Sequence, residues 1–145
     1  MSFDALAAQM ADADEGPLSG IPYADTLGAE YRIEGDQVTL IVPYRKSLVG
    51  SPQPPRLHGG AVAGLMELAA IAQVIHQFRQ EDMLPGVLPI NVTVDYLRAG
   101  QTETVYAAAR IVRMGRRVAN VQVEAWQDER ERPIAAAHMN VMLRR

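Results

Sequence analysis

Residues 58–80, HGGAVAGLMELAAIAQVIHQFRQ, decide the fold of this chain. Small and aliphatic residues follow one another here, and Glu67 is the only formally charged residue between Gly59 and His76. The stretch predicts one long helix that is apolar nearly all round. A helix with so little polar surface must be wrapped by other structure, because a helix on the surface shows a charged stripe.

Four segments with alternating apolar residues follow this helix and provide strands to wrap it. They cover residues 88–96, 105–111, 119–125 and 135–141. The connections between them are short and polar. We therefore predict that consecutive strands are antiparallel neighbours in one sheet.

The N-terminal part adds a short helix, a hairpin and a loop. Residues 3–12 have apolar residues at helical spacing, and residues 27–33 and 37–42 alternate as two strands. Residues 43–57 hold three closely spaced prolines and are predicted to be a loop. We expect an α+β fold, an antiparallel sheet of about six strands around a central helix. The 145 residues make one domain, 1–145, in which residues 1–20 are an N-terminal helix and linker.

Composition excludes several classes of function. The net charge of −3 gives no field that would gather nucleic acid. The chain has no cysteine, so disulfides, thiolate zinc sites and cysteine nucleophiles are excluded, and three histidines without ligand spacing predict no metal site. The N-terminus is acidic and lacks the basic region of a secretory signal peptide. The longest apolar stretch, residues 59–72, falls short of the ~20 residues of a membrane span. We expect a cytoplasmic protein that binds no membrane.

The start of the long helix is a candidate binding site. Gly59 and Gly60 leave backbone N–H groups unpaired, with no side chain to block a ligand, and the helix dipole adds partial positive charge. This pattern favours an anion or a carbonyl oxygen. The alternative is structural, since glycines at this position also allow a turn or close packing.

Glu67 is the candidate catalytic carboxylate. Its neighbours on the helix face are Ala63, Gly64, Ala70 and Ile71, which cannot solvate it. Desolvation is expected to raise the pKa of Glu67 toward that of a useful base. The alternative is a glutamate that reaches a crevice or pairs with an arginine from a strand.

The spacing of these two features predicts a dimer. Gly59 and Glu67 are eight residues apart, which is ~12 Å along one helix and too far to act on the same carbonyl carbon. Two copies of the helix that lie antiparallel across a two-fold axis would bring Gly59 of one subunit near Glu67 of the other. The prediction is an obligate homodimer with two composite sites.

The motifs around the helix resemble those of the PaaI-like branch of the hotdog-fold acyl-CoA thioesterases. They are Leu48-Val49-Gly50-Ser51-Pro52, Leu57-His58-Gly59-Gly60, Glu67 and Val94-Asp95-Tyr96-Leu97-Arg98. The resemblance runs from about residue 21 to the end of the chain. It implies hydrolysis of acyl-CoA in a dimeric or tetrameric assembly, with coenzyme A as part of the substrate and no further cofactor.

The resemblance also implies roles for individual residues. The backbone N–H of Gly59 polarises the thioester carbonyl, and Glu67 attacks it or activates water. We assign His58 to orienting the start of the helix, with a role as base as the weaker alternative. Gly60, Ser51, Ala70 and Ile71 are the expected substrate contacts. Arg116 and Arg117, in a tight turn, are candidates for the CoA phosphates, although arginines in hairpin turns are usually solvated.

Two other functions stay open. Relatives often have Asn where Ser51 stands, and some have Ser or Thr where Ile71 stands, so a non-catalytic acyl-CoA binding or sensing protein of the same fold is the alternative. A third hypothesis is a hydratase or dehydratase that acts on hydroxyacyl thioesters. It needs a histidine and a carboxylate that converge on one substrate, and His58 and Glu67 are far apart on one chain.

Overall fold

The fold consists of a long helix packed on one antiparallel sheet. The structure, a computed structural model, describes residues 3–78 and 86–144. Its helices are α1 (Asp4–Asp12), α2 (Pro22–Leu27) and α3 (Gly59–Phe78). Its strands are β1 (Glu15–Pro17), β2 (Glu30–Glu34), β3 (Gln37–Val42), β4 (Val49–Pro52), β5 (Pro55–Leu57), β6 (Gly86–Tyr96), β7 (Val105–Met114), β8 (Val118–Trp126) and β9 (Ala135–Arg144).

Helix α3 is the centre of the core, as its composition predicts. Leu65, Met66, Ala69 and Ala72 are at most 1% exposed, and they pack against the inward residues of β3, β7, β8 and β9. The predicted helix end at residues 79–80 lies outside the described residues. Helix α3 is long and apolar enough to span a membrane, whereas the sequence predicted an apolar stretch that is too short. However, 72% of the most apolar part of the helix is buried in the fold.

The main sheet has seven strands in the described part, in the order β1-β2-β3-β7-β8-β9-β6. The extra strand is β1, which lies in the predicted linker and pairs with β2. Three predicted strands, β7, β8 and β9, are antiparallel neighbours as expected. The expectation fails for β6, which pairs with β9 from Gly86↔Arg144 to Tyr96↔Ala135 and so lies at the edge of the sheet.

Two local predictions in the N-terminal half are also wrong. The first hairpin strand begins at Glu30 and not at Leu27, because α2 starts with Pro22 at its first position and ends at Gly28 in the left-handed conformation (φ 70°). Residues 43–57 are not all loop, since β4 and β5 form a small hairpin. Pro52 and Pro55 face each other at its turn end, where a two-stranded ribbon tolerates residues without an N–H.

Candidate functional site

The β4–β5 hairpin holds the start of helix α3. The N–H of His58 donates to the carbonyl of Leu48 at 2.8 Å, and the N–H of Leu57 donates to the carbonyl of Gly100 at 2.9 Å. A Cβ atom at Gly50 would lie 2.8 Å from the Cα of His58, so only glycine lets the hairpin pass this close. These contacts position the His-Gly-Gly motif.

His58 caps the helix. Its Nδ1 accepts a hydrogen bond from the N–H of Gly60 at 2.9 Å, and its carbonyl accepts those of Ala61 and Val62 at 3.0 and 3.2 Å. Because Nδ1 is an acceptor here, it is not available as a base, and the ring of neutral His58 carries its proton on Nε2. This geometry matches the orienting role that the sequence predicts for His58.

Capping leaves one backbone donor for a ligand. Of the N–H groups of residues 59 to 62, that of Gly59 has no hydrogen-bond acceptor among the described residues. It lies at the positive end of the helix dipole, where a developing oxyanion is stabilised. Gly60 is exposed, but its N–H is already used by His58.

Tyr96, for which the sequence predicts no individual role, holds Gly59 from the other side. Its hydroxyl donates to the carbonyl of Gly59 at 2.9 Å, and a Cβ atom at Gly59 would lie 3.2 Å from its ring. This contact joins the end of β6 to the start of α3. Its one sequence signal is the position of Tyr96 in the Val-Asp-Tyr-Leu-Arg motif.

A groove of about 420 Å³, here called the entrance groove, opens at the start of α3. It is lined by Arg56, Leu57, Gly59, Val62, Tyr96, Leu97, Arg98, Ala99, Gly100, Ile134 and Ala135. Arg98 also lines an adjacent hollow of about 230 Å³, together with Arg132 and Asp128. In the described part of the chain Arg56, Arg98 and Arg132 form no salt bridge. The groove and hollow thus offer three cations along one path. The sequence predicts no role for any of them, although Arg98 is part of the Val-Asp-Tyr-Leu-Arg motif.

Glu67 lies in a second groove of about 410 Å³, here called the helix-face groove. It is lined by Phe3, Ile21, Tyr23, Gly64, Glu67, Leu68, Ile71, Val87, Leu88 and Pro89. Glu67 is half-buried, and no described residue forms a hydrogen bond or salt bridge with its carboxylate. The alternative of a glutamate paired with a strand arginine therefore finds no partner in the described chain.

Gly59 and Glu67 do not meet within one chain. They lie eight residues apart on one helix, ~12 Å along its axis, and the two grooves that they line have no residue in common. The geometric premise of the dimer prediction thus holds in the structure. The subunit arrangement itself stays a prediction.

The remaining predicted contacts are scattered. Ile71 lines the helix-face groove beside Glu67, whereas Ala70 is fully buried in the core, so the structure gives no support to a substrate contact there. Ser51 is exposed on β4, opposite Arg56. Arg116 and Arg117 lie at the end of the sheet away from the entrance groove and near Val87, which lines the helix-face groove. The carbonyl of Arg117 binds the N–H of Leu143, whose strand partner Val87 is nine residues, roughly 30 Å, from Tyr96.

Within residues 3–78 and 86–144 no group of three His, Asp or Glu side chains could hold a metal ion.

Edge strand β6 has an unusual surface. Leu88, Ile90, Val92 and Tyr96 on it are 40–57% exposed. Soluble proteins rarely leave a long apolar edge uncovered, because it invites pairing with another strand.

Comparisons with known proteins place this geometry in a family. The family model described as the acyl-CoA thioesterase N-terminal domain matches residues 50–142. The chain is 31% identical over 120 residues to the medium/long-chain acyl-CoA thioesterase YigI of Escherichia coli K12, with 75% of this chain and 77% of that protein covered.

Solved structures agree on the fold. A protein from Chromobacterium violaceum superposes with a TM-score of 0.71 at 30% identity, covering 99% of this chain and 96% of its own. A phenylacetic acid degradation-related protein from Ralstonia eutropha JMP134 superposes with a TM-score of 0.76 at 21% identity, covering 94% of this chain and 98% of its own. With a family match over most of its length, the chain belongs to the hotdog-fold acyl-CoA thioesterases.

Proposed function

We propose that this protein hydrolyses the thioester of acyl-CoA at two equivalent sites, each formed between two copies of the chain. The observation that carries the proposal is the separation on α3 of two groups that have no partner among the described residues, the backbone N–H of Gly59 and the carboxylate of Glu67. Each group alone lacks the partner that acyl transfer needs. A two-fold axis between antiparallel helices supplies it.

The surface of the subunit supports such a pairing. On α3, Gly60, Ala63 and Glu67 lie on one face and are not buried, so the small residues on the N-terminal side of the carboxylate permit close approach of a second helix. The exposed apolar residues of edge strand β6 provide a neighbouring surface for the same contact. We infer that β6 pairs with β6 of a second copy.

The proposed reaction uses both groups on one carbonyl carbon. Glu67 of one subunit takes a proton from water as the water oxygen attacks this carbon, and the N–H of Gly59 of the other subunit donates to the oxyanion. The carbon–sulfur bond then breaks, and Glu67 returns the proton to the thiolate of CoA. In the alternative, the carboxylate of Glu67 attacks this carbon directly, and the carbon–sulfur bond breaks as the thiolate of CoA leaves. Water then hydrolyses the mixed anhydride to the free carboxylic acid and Glu67, and the thiolate takes up the proton that this hydrolysis releases.

The grooves favour a substrate class. The helix-face groove is apolar apart from Glu67 and the tyrosine hydroxyl, which suits an aliphatic acyl group, and the relative in Escherichia coli is named for medium- and long-chain acyl-CoA. Arg56, Arg98 and Arg132 suit the phosphates of CoA. We therefore propose medium- or long-chain acyl-CoA as substrate.

The test is release of free CoA from a series of acyl-CoAs. We expect turnover by the unmodified protein and a loss of ~10² to 10⁴ in kcat in Glu67→Gln, which keeps the shape of the side chain but removes the base. Glu30→Gln, at an exposed position on β2, is the matched control and should retain full activity. Full activity in Glu67→Gln would refute the proposed role.

A non-catalytic acyl-CoA binding protein is the second candidate. It is favoured by one observation: no described residue donates a hydrogen bond to Glu67, and Ile71, one turn further on, has no hydroxyl to orient it or a water. Tight binding of acyl-CoA without measurable release of CoA would decide for this function.

A further inference from the structure

The helix-face groove has a wall that the family match does not include. Phe3, Ile21 and Tyr23 come from the N-terminal segment and line the groove together with Gly64 and Glu67, whereas the family model begins at residue 50. This wall is part of the surface that an acyl chain would touch at Glu67. Its shape therefore decides which acyl chains fit.

The N-terminal wall is held firmly. In α1, Leu6 and Met10 are at most 1% exposed, and in α2 Ala24 is fully buried. The hydroxyl of Tyr31 in β2 donates to the carbonyl of Ala13 at 2.8 Å, which fixes the end of α1. The backbone that carries Tyr23 is therefore anchored on both sides.

Tyr23 itself lies directly on helix α3. A Cβ atom at Gly64 would lie 2.8 Å from the hydroxyl oxygen of Tyr23 and closer still to its ring. Gly64 precedes Glu67 by three residues, about 4.5 Å along the helix axis, so the ring lies within one turn of the carboxylate. Only glycine leaves room for it there.

The side chain of Tyr23 is 44% exposed, in contrast to the buried residues that anchor its helix. The core does not need this ring for its packing. Tyr23 therefore lines an apolar groove, contacts helix α3 and contributes little to the core. These are the properties of a residue that determines substrate specificity.

We propose that Tyr23, seated on Gly64, closes the helix-face groove and limits the length of the acyl chain that reaches Glu67. The inference rests on the proposed function, because it assigns the groove to the acyl group of the substrate. It adds the residue pair that selects among acyl groups.

The test separates binding from turnover. Affinities for non-hydrolysable S-alkyl-CoA thioethers, from butyl to octadecyl, are measured by calorimetry alongside kcat/KM for the corresponding acyl-CoAs. In Tyr23→Ala we expect the preference to move to longer chains, with the ratio of long-chain to short-chain affinity raised at least about 10-fold. Tyr44→Ala, which removes another exposed tyrosine that lines neither groove, should keep the original preference.

Gly64→Ala provides the reciprocal test. Its Cβ displaces the ring of Tyr23, so the chain-length preference should change in the native background but not in Tyr23→Ala. An unchanged preference in a folded Tyr23→Ala protein, or no binding of any thioether, overturns the proposal. If the protein shows no turnover but its chain-length preference for thioethers changes in Tyr23→Ala, the role of Tyr23 is supported and only the proposed hydrolysis is refuted.

Discussion

The Nδ1 atom of His58 accepts the N–H of Gly60 at 2.9 Å, and a Cβ atom at Gly60 would lie 2.9 Å from the same nitrogen. The His58 ring can therefore cap the helix only because residue 60 has no Cβ atom. Gly60→Ala, which in an ordinary helix would stabilise by about 0.5–1 kcal/mol, should instead displace the ring and lower both stability and kcat.

A double-mutant cycle measures this dependence. His58→Ala should lower the free energy of unfolding by about 1 kcal/mol through loss of the cap, and His58→Asn, which also caps helices, should recover most of it. In His58→Ala the penalty of Gly60→Ala should disappear. Urea unfolding gives the energies, and additive effects of the two substitutions would contradict the coupling.

Gly59 offers a way to remove one N–H with little change in backbone. Gly59→Pro deletes the donor at the first position of a helix, where proline is well tolerated. Gly59→Ala keeps the donor and adds a Cβ that also approaches the ring of Tyr96. We expect kcat in Gly59→Pro to lie ~10² to 10³ below that of Gly59→Ala. Equal kcat values in the two variants would exclude this N–H from the reaction.

The main elements of the fold were predictable because their signals are local. The apolar run after Gly60 defines α3, and apolar residues at every second position indicate β7 to β9. The pairing of β6 with β9 was not predictable from loop length, because it joins segments that are far apart in the chain, from Gly86 opposite Arg144 to Tyr96 opposite Ala135. Alternation alone does not say which strand lies beside which.

The candidate site divides in the same way. Glu67 and Gly59 could be picked out as candidates from the sequence because a lone carboxylate in an apolar helix and two glycines at its start are local features. The contacts of Tyr96 with Gly59 and of Tyr23 with Gly64 join residues 37 and 41 positions apart. Only the folded chain brings them together.

Arg98 should act on the nucleotide part of the substrate. It lines both the entrance groove and the adjacent hollow, and it forms no salt bridge within the described residues. Arg98→Ala is expected to raise KM for acyl-CoA about 10-fold, the effect of one charge-assisted hydrogen bond of ~1.4 kcal/mol. An acyl-pantetheine, which lacks the nucleotide of CoA, serves as the comparison substrate. Its KM should be unchanged in Arg98→Ala. An equal rise in KM for both substrates would count against phosphate binding.

Tyr31 predicts an alkaline limit to stability. Its burial raises the pKa of the phenol above the usual 10, and the nearby Asp14 and Asp12 add to the shift. As pH rises past about 10, the unfolded chain ionises first, so this contribution to stability is complete below pH 10 and is lost as pH rises through the folded-state pKa. Tyr31→Phe should be about 1 kcal/mol less stable at neutral pH, through loss of the bond to Ala13, and less sensitive above pH 10. Parallel stability–pH curves for the two proteins would refute this.

Mixed dimers provide the most direct test of a composite site. A Gly59→Pro subunit keeps Glu67, and a Glu67→Gln subunit keeps the donor of Gly59. When the two inactive variants are unfolded and refolded together in equal amounts, half of the random dimers are mixed, and each mixed dimer has one intact site. We expect recovery of about a quarter of the native activity, measured as CoA release per subunit.

A site within one chain gives a different result, because every chain in the mixture carries one damaged group and no intact site can form. Each variant refolded alone is the control for residual activity and for the refolding step. A Glu30→Gln subunit refolded with Glu67→Gln should give half of the native activity whichever arrangement holds, since the intact Gly59 and Glu67 then assort at random. Recovery near a quarter from Gly59→Pro with Glu67→Gln requires that the helix start of one subunit serves the carboxylate of the other.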